Sequence, residues 1–260
     1  MRIEDAPTQM SIDEAIALAR PKGETPNTVR LYRWNPSAVS IGYFQSVEKE
    51  VNLEACEEKG VDVIRRITGG GAVYHDYNGE ITYSLVAPEK DPRIPRDILA
   101  SYELICGAII RGLEELGVDC EFKPVNDIVA GDKKISGNAQ TRRHGVVLQH
   151  GTVLVDSDIK TMFQVLRVSD AKISDKLIQA VEERVTNVRR YLGREVPFEE
   201  ARDALVKGFE ETFDVVLEPG ELTEREEGLV RELHEKYSSK EWVQASGRRD
   251  RGQRRRPDHS

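Results

Sequence analysis

Arg65-Arg66-Ile67-Thr68-Gly69-Gly70-Gly71-Ala72-Val73-Tyr74-His75-Asp76 is the stretch of sequence that decides the fold. Its three consecutive glycines directly follow residues 61–67, which have the apolar pattern of a buried strand. Glycines cost backbone entropy, so we expect them where the backbone approaches another group closely or takes a positive φ. Either arrangement exposes N–H groups to a ligand, and the two arginines would add a charge suited to phosphate. The alternative interpretation is a glycine-rich hairpin turn with surface arginines.

Strand patterns lie on both sides of this stretch. Residues 29–34 and 38–44 alternate apolar and polar side chains around an Asn35-Pro36-Ser37 turn, and predict a hairpin or two neighbouring strands. Residues 126–130 and 133–140 predict a second hairpin, which turns at Gly131-Asp132. Further strands are predicted at 80–86, 144–155 and 214–217.

Helical patterns bracket the strands. The spacing of apolar residues predicts a long helix that begins after Asp97 and ends at Gly117. Ser11-Ile-Asp-Glu14 has the pattern of a capping box that opens an earlier helix. Shorter or later helices are predicted from Asn52 to Gly60, at 198–213 and at 223–237. Because these helices do not alternate regularly with strands, we expect an α+β fold with a mixed central sheet flanked by helices.

The 260-residue chain is acidic, with a formal net charge of −8. Its three cysteines are too few and too scattered for a disulfide framework or a zinc site. We expect one domain at 1–243 and a disordered arginine-rich tail at 244–260. The sequence has no signal-peptide pattern and no apolar run of about 18 residues, so we expect a cytoplasmic protein without a membrane partner. The acidic body argues against nucleic acid as a partner.

A second candidate segment is the hairpin around Lys134. Small residues follow this lysine, so we expect its ammonium over an open cavity, as a point charge toward carboxylate and phosphate. Asn126 and Asp127 across the hairpin are suited to holding a ribose or a hard cation. The alternative interpretation is an ordinary solvated hairpin tip.

Two histidines are further candidates. His150 interrupts an apolar strand, a position more often taken by a hydrogen-bonded core residue than by a catalyst. His75 and Asp76 form either an acid/base pair or the capped end of a strand, since adjacent side chains of a strand point to opposite faces. The sequence shows neither a nucleophile–base arrangement nor metal-spaced histidines.

Together these segments resemble the lipoate–protein ligase A family of the biotin/lipoate ligase superfamily. The resemblance rests on residues 65–76, on Asn126-Asp127 and on Lys134-Ile-Ser-Gly-Asn-Ala-Gln140. Supporting motifs occur at residues 30–34, 40–45, 148–151 and 183–188, so the likeness runs from about residue 10 to residue 242. It implies a catalytic domain of the class II synthetase-like kind.

The resemblance also implies ATP-dependent chemistry. Members of this family use ATP and Mg²⁺ to convert lipoate to lipoyl-adenylate, and then pass the lipoyl group to a lysine of an acceptor domain. Lys134 would be the catalytic residue, and Asp127 the magnesium ligand. The implied ATP- and adenylate-binding residues are Arg66, Gly71, Ala72, Val73, Tyr74, Asn126, Asp127 and Lys134. The implied lipoate-binding residues are Gly70, Val73, Lys134 and His150.

The implied partners are lipoyl acceptor domains of 2-oxoacid dehydrogenase complexes and the glycine cleavage H protein. Longer family members carry a C-terminal accessory domain, so we also expect a separate accessory subunit. Two alternatives stay open: a non-catalytic ligand-binding module, and a cysteine-dependent octanoyl or lipoyl transferase that needs no ATP. Residues 137–142 are very similar to the motif of those transferases. We interpret Cys120 as a packing residue, and Cys56 and Cys106 as small buried hydrophobic residues.

Overall fold

Two sheets form the framework of the fold in the computed structural model, which describes residues 1–23, 25–167 and 183–245. The described strands are β1 (Arg2–Glu4), β2 (Thr28–Trp34), β3 (Ala38–Ile41), β4 (Asp62–Arg65), β5 (Val73–His75), β6 (Glu80–Pro88), β7 (Glu121–Lys123), β8 (Asp127–Ala130), β9 (Lys133–Arg143) and β10 (Val146–Leu154). The larger sheet has the order β1-β2-β6-β10-β9-β8-β7, and the smaller one β4-β3-β5. Both are mixed, because β1 pairs with β2 and β3 with β4 in parallel.

Helices cover the sheets. The described helices are α1 (Ala6–Ala19), α2 (Val47–Glu50), α3 (Leu53–Lys59), α4 (Ile98–Glu115), α5 (Ile159–Val165), α6 (Val188–Leu192), α7 (Phe198–Phe213), α8 (Glu224–Ser238) and α9 (Lys240–Gln244). A 3₁₀ turn, Arg20–Lys22, follows α1. Among the residues that the structure describes, no helix combines the length and the apolar character that a membrane span needs.

The two central strands, β6 and β10, are buried on both faces. Leu85 packs in a cluster with Ile105 of α4 and Leu205 of α7. The next residue, Val86, packs in a different cluster with Ile12 of α1. This alternation follows from the two-residue period of a strand. It explains why every residue of these two strands except Pro88 is buried, and the arrangement confirms the predicted mixed sheet flanked by helices.

Capping residues set several helix boundaries as predicted. The side chain of Asp97 accepts a hydrogen bond from the backbone N–H of Ala100 at 2.8 Å at the start of α4. Asn52 caps α3 in the same way, and Gly60 ends that helix with a φ of 63°. Thr223 and Glu226 form the reciprocal capping box of α8.

The predicted start of α1 is wrong. The helix begins at Ala6, where Asp5 accepts a hydrogen bond from the backbone N–H of Thr8 at 2.9 Å. Ser11 lies inside the helix, fully buried, and its hydroxyl donates to the carbonyl of Pro7 at 2.7 Å. The Ser-x-x-Glu spacing of residues 11–14 therefore lies within the helix and is not an N-terminal cap.

Two strand predictions also differ from the structure. β2 and β3 are not paired, because Asn35-Pro36-Ser37 carries the chain from the large sheet to the small one. Residues 214–217 form no strand, since Asp214 ends α7 with a φ of 50° and the N–H of Leu217 donates to the Glu210 side chain. The predicted tail lies outside the described residues from residue 246 onward.

Candidate active site

One cavity, the central cavity, is lined by residues of both sheets, including β9 and β10 of the large sheet and β3 and β5 of the small one. The predicted residues that line it are Arg66, Gly70, Gly71, Ala72, Val73, Asn126, Lys134 and His150. Tyr74 is buried in the apolar cluster of Val39 and Ile41, because it points to the opposite face of β5 from Val73. The structure therefore does not bring Tyr74 into the site.

The glycine loop, Gly69–Gly71, forms one edge of the central cavity. Gly70 has a φ of 91°, which disfavours a side chain. A Cβ added to Gly42 would lie 2.2 Å from the carbonyl oxygen of Gly70, so the two backbones touch. Of the three consecutive glycines, Gly70 alone shows the expected reasons, a positive φ and an added Cβ only 2.9 Å from Arg66. An added Cβ on Gly69 or Gly71 would meet nothing within 4 Å.

Arg66 is buried beneath the glycine loop, with 4% of its surface exposed. Its NH2 group donates to the carbonyls of Gly69 and Gly71, both at 2.7 Å, and its NH1 group to the carbonyl and hydroxyl of Ser40. Its Nε donates to the hydroxyl of Thr68 at 3.0 Å. All five N–H bonds of the guanidinium thus have acceptors within the protein. Burial lowers the pKa of Arg66 to about 10, so the group stays charged at neutral pH.

Arg65 is buried as well, and its contacts correct the expectation of a phosphate-binding surface. Its NH1 group donates to the backbone carbonyls of Gly42, Tyr43 and Gln45. Its Nε and NH2 groups donate to carbonyls of α9 at 3.0 and 2.9 Å. The guanidinium groups of the two arginines therefore donate mainly to the protein's own backbone carbonyls.

Lys134 lines the central cavity and keeps 43% of its side chain exposed. Its ammonium lies 2.7 Å from Oδ1 of Asp127 on the neighbouring strand. A Cβ on Gly137 would come within 2.8 Å of Nζ and Cε of Lys134, so this glycine makes room for the lysine side chain. Asn126 exchanges hydrogen bonds with Asn138 and holds the two strands together at this point.

His150 lies within the wall of the central cavity and is fully bonded. Its Nδ1 is 3.1 Å from Oδ2 of Asp13, and its Nε2 is 2.7 Å from the hydroxyl of Thr68. Burial lowers the pKa of His150, and the nearby Asp13 carboxylate opposes this effect in part. Asp13 and Thr68 were missed by the sequence reasoning. An acidic residue on the apolar face of α1 is the signal that could have identified Asp13.

His75 also lines the central cavity, from β5 of the small sheet, whereas His150 lies on β10 of the large sheet. Its Nε2 is 2.8 Å from the Ser40 hydroxyl, and its Nδ1 is 2.9 Å from Oε1 of Glu80. The neighbouring Asp76 accepts hydrogen bonds from backbone N–H groups in turns, one of them that of Asp158. Of the two interpretations of His75-Asp76, the acid/base pair is excluded because the two side chains do not contact each other.

The cysteines contribute nothing to the cavity wall. Cys56, Cys106 and Cys120 are all buried and free, and none of them lines the central cavity. Burial raises the pKa of Cys56 to about 11 and those of Cys106 and Cys120 to about 12. Each thiol therefore stays protonated at neutral pH, which confirms the interpretation of the three as packing residues.

Residues 5–210 match the family model of the lipoyl protein ligase A/B catalytic domain. The chain belongs to this family. An octanoyltransferase LipM from Kyrpidia tusciae is 39% identical over 255 residues, which cover 90% of this chain and 92% of the relative. A bi-partite lipoate protein ligase from Thermoplasma acidophilum is 35% identical with a TM-score of 0.82, over 94% of this chain and 96% of its own. A lipoate-protein ligase A bound with ATP is 34% identical with a TM-score of 0.82, over 95% and 97% of the two chains.

These comparisons correct the expectation of an ATP- and Mg²⁺-dependent ligase. Curated relatives from several bacteria, 33–39% identical across nine-tenths of this chain, are named octanoyltransferases. In the structure, Oδ1 of Asp127, the expected magnesium ligand, lies 2.7 Å from the ammonium of Lys134. Within residues 1–23, 25–167 and 183–245, no group of three His, Cys, Asp or Glu side chains could hold a metal ion.

Proposed function

We propose that this protein transfers an octanoyl or related acyl group from a thioester donor to a lysine of a lipoyl acceptor domain, without ATP. The observation that carries the proposal is the central cavity with Lys134 at its exposed edge, in a chain whose curated relatives are octanoyltransferases. The acyl chain would lie along Gly70, Val73 and His150. Its carbonyl would then lie near the ammonium of Lys134.

The transfer is a single displacement in this proposal. The amine of the acceptor lysine attacks the thioester carbonyl, a C–N bond forms, the C–S bond breaks, and the thiol leaves with a proton given up by the amine. Negative charge develops on the carbonyl oxygen during the attack, and the ammonium of Lys134 is placed to stabilise it. The enzyme's own cysteines take no part, because all three are buried and protonated.

The test of the function is an acyl transfer assay without nucleotide. The protein is mixed with octanoyl acyl carrier protein and an apo lipoyl domain, and the acceptor is weighed by intact mass spectrometry. We expect one octanoyl group on the acceptor lysine. If the acceptor is modified only when free octanoate or lipoate and ATP are supplied, the proposal is wrong.

The single displacement predicts that no cysteine is needed. Cys120→Ala, Cys56→Ala and Cys106→Ala should each keep the transfer rate within about twofold of the parent, because raised thiol pKa values make these groups poor nucleophiles. Intact mass of the enzyme after exposure to the donor should show no added acyl group. An adduct on any of the three cysteines, or a folded variant without activity, would contradict the mechanism.

A further inference from the structure

Two buried hydrogen-bond relays meet at the guanidinium of Arg66, one at its NH1 group and the other at its Nε. The first relay runs from Glu80 through His75 to Ser40, and the second from Asp13 through His150 to Thr68. Each ends on a hydroxyl that also accepts a hydrogen bond from Arg66, at 3.1 Å for Ser40 and 3.0 Å for Thr68. All six relay residues are buried.

In the second relay, the direction of each hydrogen bond follows from its acidic end. Asp13 forms a buried ion pair with Arg30, and Tyr32 and Ser84 donate to its carboxylate as well. An ionised Asp13 can only accept, so Nδ1 of His150 must donate to it. A neutral His150 then has a bare Nε2, and this nitrogen must accept from the hydroxyl of Thr68. The oxygen of Thr68 is left free to accept from Arg66.

The first relay has the same order of donors and acceptors. The indole N–H of Trp34, which can only donate, bonds to the hydroxyl of Thr82 at 2.7 Å. The Thr82 hydroxyl therefore donates to Oε1 of Glu80. Nδ1 of His75 donates to the same oxygen. With a neutral imidazole ring, Nε2 of His75 accepts from the hydroxyl of Ser40, whose oxygen accepts from Arg66.

We propose that the two relays are positioning devices, which orient the Ser40 and Thr68 hydroxyls toward Arg66 and so fix the glycine loop against the central cavity. The path from relay to loop is short, because NH2 of Arg66 holds the carbonyls of Gly69 and Gly71 at 2.7 Å each. Neither histidine acts as a proton-transfer catalyst in this arrangement, because both ring nitrogens of each are bonded within the protein. The proposal deepens the proposed function, since the loop borders the cavity assigned to the acyl chain.

Removal of the Thr68 or the Ser40 hydroxyl tests the proposed positioning role. Thr68→Val and Ser40→Ala each leave one N–H of Arg66 and one imidazole nitrogen without a partner. The N–H of Tyr43 donates to the carbonyl of Thr68, next to the glycine loop, at 2.8 Å. We expect amide hydrogen exchange at Tyr43 to accelerate about tenfold, the effect of one lost buried hydrogen bond. Thr68→Ser keeps the hydroxyl and should restore slow exchange. Thr25→Val is the matched control, because the hydroxyl of Thr25 is buried without a hydrogen-bond partner among the described residues.

A spectroscopic measurement tests the hydrogen-bond directions without any variant. In ¹⁵N-edited spectra of the intact protein at neutral pH, His75 and His150 should both carry their proton on Nδ1, with Nε2 unprotonated. Protonated Nε2 in either ring would overturn the proposal. Amide exchange at Tyr43 that is equal in the parent, Thr68→Val and Ser40→Ala would overturn it as well.

Neither of these measurements depends on the acyl transfer assay. The parent could transfer no octanoyl group while its amide exchange and histidine tautomers are as expected. In that case the proposed function is wrong and the positioning role of the relays is still supported. If transfer occurs, Thr68→Val should raise the KM for the octanoyl donor about tenfold with little change in kcat, and Thr68→Ser should reverse it. A loss of kcat with KM unchanged would contradict the positioning role.

Discussion

Lys134 is the residue on which the proposed chemistry depends most. Lys134→Ala should slow acyl transfer by about a hundredfold or more, the usual cost of one lost oxyanion donor. Thermal stability should barely change, since both side chains of the pair with Asp127 are partly exposed to solvent and such pairs contribute less than about 1 kcal/mol. Lys134→Arg should also transfer the acyl group slowly, because the charge of a guanidinium is spread over a plane whereas that of an ammonium is compact. The measurement is the transfer rate beside a thermal melt, with exposed Lys90→Ala as the control.

His150 makes the stability of the protein dependent on pH. Burial lowers the pKa of His150 in the folded state, and the charge of Arg66 acts in the same direction, against the opposing effect of Asp13. The unfolded chain therefore takes up the proton first, near pH 6.5. Stability is complete above that pH and is lost as pH falls from there toward the lower folded pKa, by at most about 1.4 kcal/mol per unit.

The measurement is urea unfolding of the parent and of His150→Gln between pH 7.5 and 5.5. The parent should lose more free energy of unfolding over this interval than the variant, whatever the absolute stability of each. Equal slopes would show that His150 has an ordinary pKa. Asp13 adds a loss only at lower pH, because Arg30 and His150 hold its pKa below the usual value despite its burial.

At the scale of elements, helices α4 and α7 cross where two glycines let their backbones touch. A Cβ on Gly208 would lie 2.2 Å from the carbonyl oxygen of Ala108, so Gly208→Ala should destabilise the protein by about 1–3 kcal/mol. Gly228 lies in α8 with no other atom within 4 Å of an added Cβ. Gly228→Ala should therefore stabilise by up to about 1 kcal/mol. The measurement is the free energy of urea unfolding of both variants. Equal changes in the two variants would contradict the close contact between α4 and α7.

Elements with local signals were predictable from the sequence. Helix α4 carries its own cap and period, so its start after Asp97 is where the pattern placed it. The start of α1 was mistaken because the residue that caps it, Asp5, stands beside a second capping-type pattern six residues later. The assignment of β3 to a separate sheet depends on its pairing with β4 and β5, which no local pattern encodes.

The same limit applies to the candidate site. Residues 65–76 and the Lys134 hairpin both contribute to the cavity wall, as their glycines and small residues suggested. The contact of Asp13 with His150 joins residues 137 positions apart in the sequence, so no spacing rule could reveal it. The chemistry was harder still, because this chain is similar over nine-tenths of its length both to a solved lipoate protein ligase and to curated octanoyltransferases.

At the scale of the whole molecule, α9 packs against β4 of the small sheet. The indole N–H of Trp242 donates to the carbonyl of Arg65 at 2.8 Å. Trp242→Phe should lower the free energy of unfolding by about 1 kcal/mol through the lost hydrogen bond. Trp242→Ala should lower it by about 2–4 kcal/mol through the added loss of packing. Val216→Ala, at a position 83% exposed, is the control. A Trp242→Ala variant as stable as this control would show that packing of α9 does not stabilise the protein.

The contacts of Arg65 also affect the order in which the two sheets form during synthesis. This arginine is buried against the turn 42–45 and against the carbonyls of Trp242 and Val243, which leave the ribosome much later. Until residues 242 and 243 have emerged, the guanidinium lacks two of its acceptors, and a buried charge with missing partners is strongly unfavourable. The nascent small sheet should therefore stay open to proteases and chaperones while the large sheet is already able to pair, and should close only when α9 arrives.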